Sequence, residues 1–126
     1  MATIKEAYCS YEVSKLLKEK GFDEPCYMAY VPTNRKHMMR NDAGHSNSMH
    51  PDDYYAAPTQ QMAMKWLREK YNIVIVVTSS MFWGKYNVSI YKKGNDYPYG
   101  FDGGDLVPSY ERAVEAAIKY CLENLI

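Results

Sequence analysis

The chain has 126 residues and a formal net charge of zero, because fifteen Lys and Arg side chains balance fifteen Asp and Glu side chains. This length is typical of one domain, and the balance excludes the strong field that draws basic proteins to nucleic acids or anionic membranes. The longest apolar run, Ile73 to Val77, is far shorter than the roughly 18 to 20 residues of a membrane-spanning helix. Residues 1–10 lack a basic region followed by an apolar stretch, so we expect a cytoplasmic protein without a membrane partner.

Cysteine and tyrosine are the two informative residue types. The three cysteines form no C-x-x-C pair, which predicts reduced thiols without a disulfide framework or zinc knuckle. The thirteen tyrosines suit either a half-buried sheet surface or a binding interface, because the side chain joins a large apolar ring to a polar tip. Composition alone leaves both interpretations open.

The first half of the chain predicts one helix and one strand around a long polar segment. Apolar residues recur at helical spacing over residues 10–20, and Gly21 ends the helix. Residues 26–31 read as a strand that Pro32 closes. Residues 32–53 have no clear helical or strand period, so we expect a long polar loop there, and a loop of this length tends to be functional or disordered.

After a possible short strand at residues 54–57, a helix is predicted from Thr59, and its apolar stripe is expected to be buried. The stripe consists of Met62, Ala63, Trp66 and Leu67, and the opposite face of Gln60, Gln61, Lys65 and Glu69. The β-branched run over residues 73–78 predicts a buried, central strand.

The last third of the chain predicts two further strands and a helix. Residues 82–91 alternate between apolar and polar side chains, which predicts a half-buried strand paired with the preceding one. Residues 97–101 are a possible edge strand because they contain Pro98. Ser109 is a good N-cap for a helix whose apolar stripe continues to Leu125.

This order of elements predicts an α+β fold. We expect one domain over residues 1–126, in two layers, with a small, mainly antiparallel sheet of three or four strands packed by about three helices. Helices on one face leave the other face solvated or bound to a partner. A tyrosine-rich, uncovered face favours a homodimer or binding to another protein.

Three stretches together carry a resemblance to a known group of proteins. They are residues 8–17, residues 57–69 and residues 109–122, which together cover roughly half of the chain. They resemble small uncharacterised proteins encoded in prophages and other mobile elements of gut anaerobic bacteria. The resemblance implies a bacterial cytosolic setting and a mobile-element origin, and it implies no mechanism.

A basic cluster inside the polar segment is one candidate binding site. Arg35, Lys36, His37 and Arg40 lie close together in the sequence and are suited to phosphate contacts. Aromatic side chains on strands could add base stacking, as in proteins that bind single-stranded nucleic acid. The aromatic candidates are Tyr27, Tyr30 and Tyr91.

The histidines of the same segment are the candidate metal ligands. His37, His45 and His50 are all the histidines of the chain, and Asp52 or Asp53 could supply a carboxylate. Imidazole and carboxylate suit zinc and other transition metals, but the separations of these residues match no H-E-x-x-H or C-x-x-C type of motif.

The sequence therefore favours a non-catalytic interaction module of mobile-element origin, without a cofactor. No G-x-S-x-G, G-x-G-x-x-G or G-K-[ST] motif supports an enzyme. The alternative is a nucleic-acid-binding accessory protein that uses residues 35–40. The third hypothesis is a histidine-ligated metalloenzyme.

Overall fold

The computed structural model describes residues 6–31, 34–49, 54–80, 85–94 and 109–126. They contain three helices and two antiparallel sheets, of three and two strands, so the α+β class is confirmed and the strands divide over two sheets instead of one. The chain forms two compact units, the N-terminal unit Met1–Thr59 and the C-terminal unit Gln60–Ile126. That residues 1–126 make a single domain stays a prediction.

Helix α1, Tyr11–Glu19, begins and ends where the sequence predicts. The Ser10 hydroxyl group accepts a hydrogen bond from the Val13 amide at 3.2 Å, which satisfies one free donor of the first turn. Gly21 follows the helix with a φ of +91°, a conformation that glycine adopts without steric cost.

A three-stranded sheet completes the N-terminal unit. Its strands are β1 (Cys26–Val31), β2 (Asn34–His45) and β3 (Tyr55–Ala56), in the order β2-β1-β3 with antiparallel pairing throughout. A short 3-10 helix, Asn47–Met49, follows β2.

Strand β2 lies within residues 32–53, where the sequence predicts a polar loop. The pairing of β2 with β1 explains why its sequence shows no strand period. Met28 pairs with Arg40 and Cys26 with His45, so two positions along β1 correspond to five along β2. Residues 41–44 therefore lie opposite Tyr27 alone, and by the same count residues 35–38 lie opposite Tyr30 alone. Such bulges break the alternation of a strand, so β2 has no readable pattern of its own.

The C-terminal unit places two helices on a two-stranded sheet. Its elements are α2 (Gln60–Tyr71), β4 (Ile73–Ser80), β5 (Lys85–Lys92) and α3 (Tyr110–Asn124). Strands β4 and β5 pair one to one from Ile73 opposite Lys92 to Ser80 opposite Lys85. The Ser109 hydroxyl group accepts from the Arg112 amide at 3.3 Å, so the predicted N-cap of α3 is confirmed.

The buried side of α2 differs from the predicted stripe. Ala63, Trp66 and Leu67 are buried as predicted, but Met62 is 41% exposed and Gln60 is buried. Gln60 turns inward because its Nε2 donates to the Glu111 carbonyl oxygen at 2.9 Å and to the Glu115 carboxylate at 3.0 Å. Hydrogen bonds to both oxygens offset the cost of burying the amide.

Strand β4 is buried on one face only, which corrects the predicted central, fully buried strand. Ile73 is fully buried, whereas Val74 and Val76 are each 41% exposed. In the described part of the chain β4 pairs with β5 alone, and both helices contact the face that carries Ile73. A β-branched run predicts an extended backbone without fixing how many of its faces are covered.

The possible edge strand at residues 97–101 lies outside the described residues. Within the residues that are described, no helix is long and apolar enough to span a membrane.

Candidate functional site

The face of the β4–β5 sheet turned away from α2 and α3 is the first candidate surface, and we call it the outer face. Val74, Val76 and Tyr91 contribute its apolar part and are 41%, 41% and 39% exposed. Thr78, Ser89 and Asn87 complete it, since Val76 pairs with Ser89 and Thr78 with Asn87. These six side chains carry no charge, and the Ser80–Lys85 pair adds one cation at the far end of the same face.

The local sequence fixes which side chains form the outer face. Alternate residues of a strand point to opposite faces, so Ile73 and Ile75 cover the helix side while Val74 and Val76 face outward. Asn72 joins α2 to β4 directly before this alternation begins. Its φ is +56°, a left-handed conformation that asparagine tolerates.

A cleft opens at the end of the outer face where β4 begins, and we call it the basic cleft. Its volume is about 380 Å³. The described side chains that line it are Arg68, Asn72, Val74, Tyr91, Lys92 and Lys93.

Cations dominate the basic cleft. Lys92 Nζ donates to the Leu125 carbonyl oxygen at 3.0 Å, which holds it at the end of α3. Arg68 and Lys93 have no acidic or hydrogen-bonding side-chain partner among the described residues, and none of the described lining residues is acidic. The cleft is therefore suited to an anion.

A second cleft, of about 300 Å³, lies in the N-terminal unit, and its polar groups are already engaged. Lys18 Nζ donates to the Tyr54 carbonyl oxygen at 2.7 Å and lies 5.3 Å from the centre of the Tyr55 ring. The Asp23 carboxylate accepts from the Ser48 amide at 2.7 Å. These contacts make the cleft a structural junction.

Asn47 is the centre of that junction. Its Nδ2 donates to the Phe22 carbonyl oxygen at 2.8 Å, and its Oδ1 accepts from the Ala56 amide at 2.9 Å. The side chain is buried and connects the end of α1 to β3, so we assign it to the stability of the unit.

The three tyrosines that the sequence suggests for binding differ in exposure and in the unit to which they belong. Tyr30 is buried, and its hydroxyl group donates to the Cys9 carbonyl oxygen at 3.2 Å, which removes this side chain from any binding surface. Tyr27 is 62% exposed and lies over Gly44. Tyr91 belongs to the outer face in the other unit.

The basic candidates lie on β2. Arg40 is exposed and pairs with Met28. Arg35, Lys36 and His37 lie in the bulge opposite Tyr30, and their side chains are outside the described residues.

Of the predicted metal ligands, His45 alone has a described side chain, so the metal site stays a prediction. His45 is half-buried, with its ring centre 6.4 Å from that of Tyr54. His50, Asp52 and Asp53 lie outside the described residues. Among the described side chains, no group of three His, Cys, Asp or Glu could hold a metal ion.

All three thiols are buried, and two of them are held in the protonated form. Burial, with a contribution from the Glu24 charge, raises the pKa of Cys26 to about 11. Burial likewise raises the pKa of Cys121 to about 12. Because the thiolate is the nucleophile, neither residue is activated for catalysis near neutral pH.

No family model, curated protein or solved structure matches the chain. The functional conclusions therefore come from the surfaces described above. Sequence reasoning missed the basic cleft, because Arg68 and Lys93 are 25 positions apart in the numbering and lie on different elements. The available signal was that basic residues occur both at the end of the predicted helix and directly after the strand that ends at Tyr91.

Proposed function

We propose that the protein is a non-catalytic interaction module and that its outer face binds the same face of a second copy. The observation that supports this is the exposure of three apolar side chains, Val74, Val76 and Tyr91, on a sheet whose other face is packed by helices. Interface centres are depleted of charge, as the six side chains at the centre of this face are.

The absence of charge on the six central side chains favours a second copy as the partner, since the described cations, Lys85 and those of the basic cleft, lie at the two ends of the face. A two-fold axis places each surface patch against itself, so a patch with a net charge repels its own copy. On the outer face, Val76 has Ser89 as its cross-strand neighbour, and neither side chain opposes self-pairing.

Three further predictions from the sequence stay predictions. Nucleic-acid binding by residues 35–40 is the alternative function, and Arg40 is the one of its basic residues with a described side chain. The histidine-ligated metalloenzyme is the third hypothesis. The mobile-element origin remains what the resemblance implies.

Val76→Lys tests the dimer by placing two like charges at the centre of the proposed interface. We expect the wild-type mass in light scattering to approach twice the chain mass of 14.6 kDa at high micromolar concentration. We expect Val76→Lys to remain a monomer, because pairing would bury unpaired ammonium groups.

Met62→Lys is the matched control, because Met62 has the same 41% exposure but lies on α2. It is expected to dimerise like the wild type. Val76→Thr keeps a β-branched side chain and is expected to weaken the dimer without affecting the strand. A wild-type protein that stays monomeric, or a Val76→Lys variant that still dimerises, contradicts the proposal.

A further inference from the structure

We propose that the basic cleft binds single-stranded nucleic acid, with one base stacked on the Tyr91 ring and the adjoining phosphates at Arg68 and Lys93. This site lies in the C-terminal unit and is separate from the sequence-predicted residues 35–40 in the N-terminal unit. The inference does not rest on dimerisation. Val74 and Tyr91 belong to both the outer face and the basic cleft, so a bound strand would compete with a second copy for them.

The charge of the cleft selects an anion. Three of its six described lining residues are cationic, and none is acidic. Arg68 and Lys93 have no described side-chain partner, so binding an anion breaks no described ion pair of the protein. Lys92 uses one N–H group on the Leu125 carbonyl oxygen, and an ammonium group has two more to donate.

The apolar part of the cleft narrows the class of anion. Tyr91 is 39% exposed and Val74 is 41% exposed, and they adjoin each other as a cross-strand pair. A free phosphate or an acidic peptide satisfies the cations and leaves this apolar wall in water. A nucleotide unit offers both a phosphate and a flat base, and base stacking on aromatic side chains is the usual basis of single-strand binding.

The backbone holds the three elements of the cleft together. The Asn72 amide donates to the Arg68 carbonyl oxygen at 3.2 Å, which closes the last turn of α2. The Lys93 amide donates to the Asn72 carbonyl oxygen at 3.0 Å, which joins the end of β5 to the start of β4. The backbones of Arg68, Tyr91 and Lys93 are therefore held close together before a ligand arrives, so binding does not have to order them.

The size and openness of the site favour a single strand over a duplex. A volume of about 380 Å³ is at the lower end of ligand sites and suits one base with its sugar. Bases in a duplex are stacked and paired, so they cannot lie on Tyr91 without being unstacked.

Fluorescence anisotropy with a labelled oligothymidylate of about 12 nucleotides tests the proposal. We expect binding at about 50 mM salt that weakens steeply by about 200 mM, because bound phosphates release counterions. Arg68→Gln is expected to weaken binding about fivefold, and Tyr91→Leu about tenfold, whereas Tyr91→Phe keeps the stacking surface and is expected to bind like the wild type.

Lys70→Gln is the matched control for Arg68→Gln. Both residues are basic and lie in the last turn of α2, where they complement the same helix dipole, but Lys70 is not among the described residues of the cleft. Lys70→Gln is therefore expected to bind almost as tightly as the wild type. Equal weakening by Lys70→Gln and Arg68→Gln would show a diffuse charge effect and overturn the site.

Two further measurements test the class of ligand and the location of the binding site. Duplex DNA and an oligoglutamate of similar length are expected to bind at least tenfold more weakly than the oligothymidylate, and equal binding of either overturns the proposed class. Amide chemical shifts of the wild-type protein are expected to move at Arg68, Asn72 and residues 91–93. Absence of binding at about 50 mM salt, or shifts confined to residues 35–40, overturns the proposal without any variant.

Discussion

The two long strand pairs of this protein are built in opposite ways. Strands β4 and β5 match residue for residue over eight pairs. Strand β2 instead uses twelve residues against the six of β1, with residues 35–38 and 41–44 in bulges. The regular pair is therefore stabilised by repeated side-chain packing on one face, whereas the irregular pair depends on a few particular residues.

The two strand pairs are also expected to respond differently to a substitution. In the regular pair, the loss of one side chain leaves a cavity among apolar neighbours. In the irregular pair, the loss of one residue leaves backbone groups unpaired or strained. Four predictions follow this contrast, from the largest expected effect to the smallest.

Ile90→Ala is expected to have the largest effect. Ile90 is fully buried and pairs with Ile75 on the helix side of the β4–β5 sheet, so its truncation removes packing and leaves a cavity. We expect the free energy of unfolding to fall by about 2 to 5 kcal/mol in urea denaturation. Ser89→Ala, on the outer face of the same strand, is the control and is expected to change it by less than about 0.5 kcal/mol. Equal effects of the two variants would contradict the assignment of the faces.

Asn47→Ala tests the junction that directly follows the irregular strand β2. It leaves the Phe22 carbonyl group and the Ala56 amide without their partner, and we expect a loss of about 2 kcal/mol. Hydrogen exchange of the Ala56 amide should become faster. Met49→Ala is the control, because Met49 lies in the same 3-10 helix and is 56% exposed. Unchanged protection of the Ala56 amide in Asn47→Ala would exclude Asn47 as the centre of the junction.

Gly44→Ala tests the bulge opposite Tyr27. Gly44 has a φ of +70°, and a Cβ atom there would meet the Tyr27 ring at 3.4 Å, which is ordinary contact. We expect a loss of about 1 kcal/mol from backbone strain, measured by urea denaturation. Gly94→Ala is the counterpart in the C-terminal unit, with a φ of +97° and open space around it. A Gly44→Ala variant as stable as the wild type would contradict the left-handed conformation of Gly44.

The smallest expected effect is a dependence on pH. Hydrogen bonds from the Ser48 amide and hydroxyl group lower the pKa of Asp23 from its ordinary value of 3.8. A carboxyl group whose pKa is lower in the folded state stabilises the fold above its unfolded pKa, and this contribution is lost as the pH falls through the folded value. Urea denaturation between pH 6 and pH 3, a range spanning roughly the ordinary carboxyl pKa, should show a small loss that Asp23→Asn abolishes. An unchanged profile in Asp23→Asn would show that other carboxyl groups cause the loss.

The sequence predicted elements well where one pattern dominates. The bounds of α1, the strand at Cys26–Val31 and the N-cap of α3 follow from capping residues and periodicity, and the structure confirms them. Strand β2 could not be predicted, because its two bulges interrupt the alternation that identifies a strand. The inward position of Gln60 depends on Glu111 and Glu115, which are more than fifty positions away.

The candidate surfaces were predictable only in part. An uncovered sheet face was expected from the count of helices, and Tyr91 was among the named residues. Its neighbours Val74 and Val76 were assigned to a buried strand, since a β-branched run looks the same whether one or two faces are covered. The basic cleft required the pairing of β4 with β5, which brings Lys93 to Asn72.

Because the thiols are buried, their reaction with an alkylating reagent reports how often each unit opens. Cys26 belongs to the N-terminal unit and Cys121 to the C-terminal unit, and both are buried in the folded state. An alkylating reagent at mildly alkaline pH reaches such a thiol only when the surrounding structure opens. The order in which Cys26 and Cys121 are alkylated would therefore show which of their two units opens first.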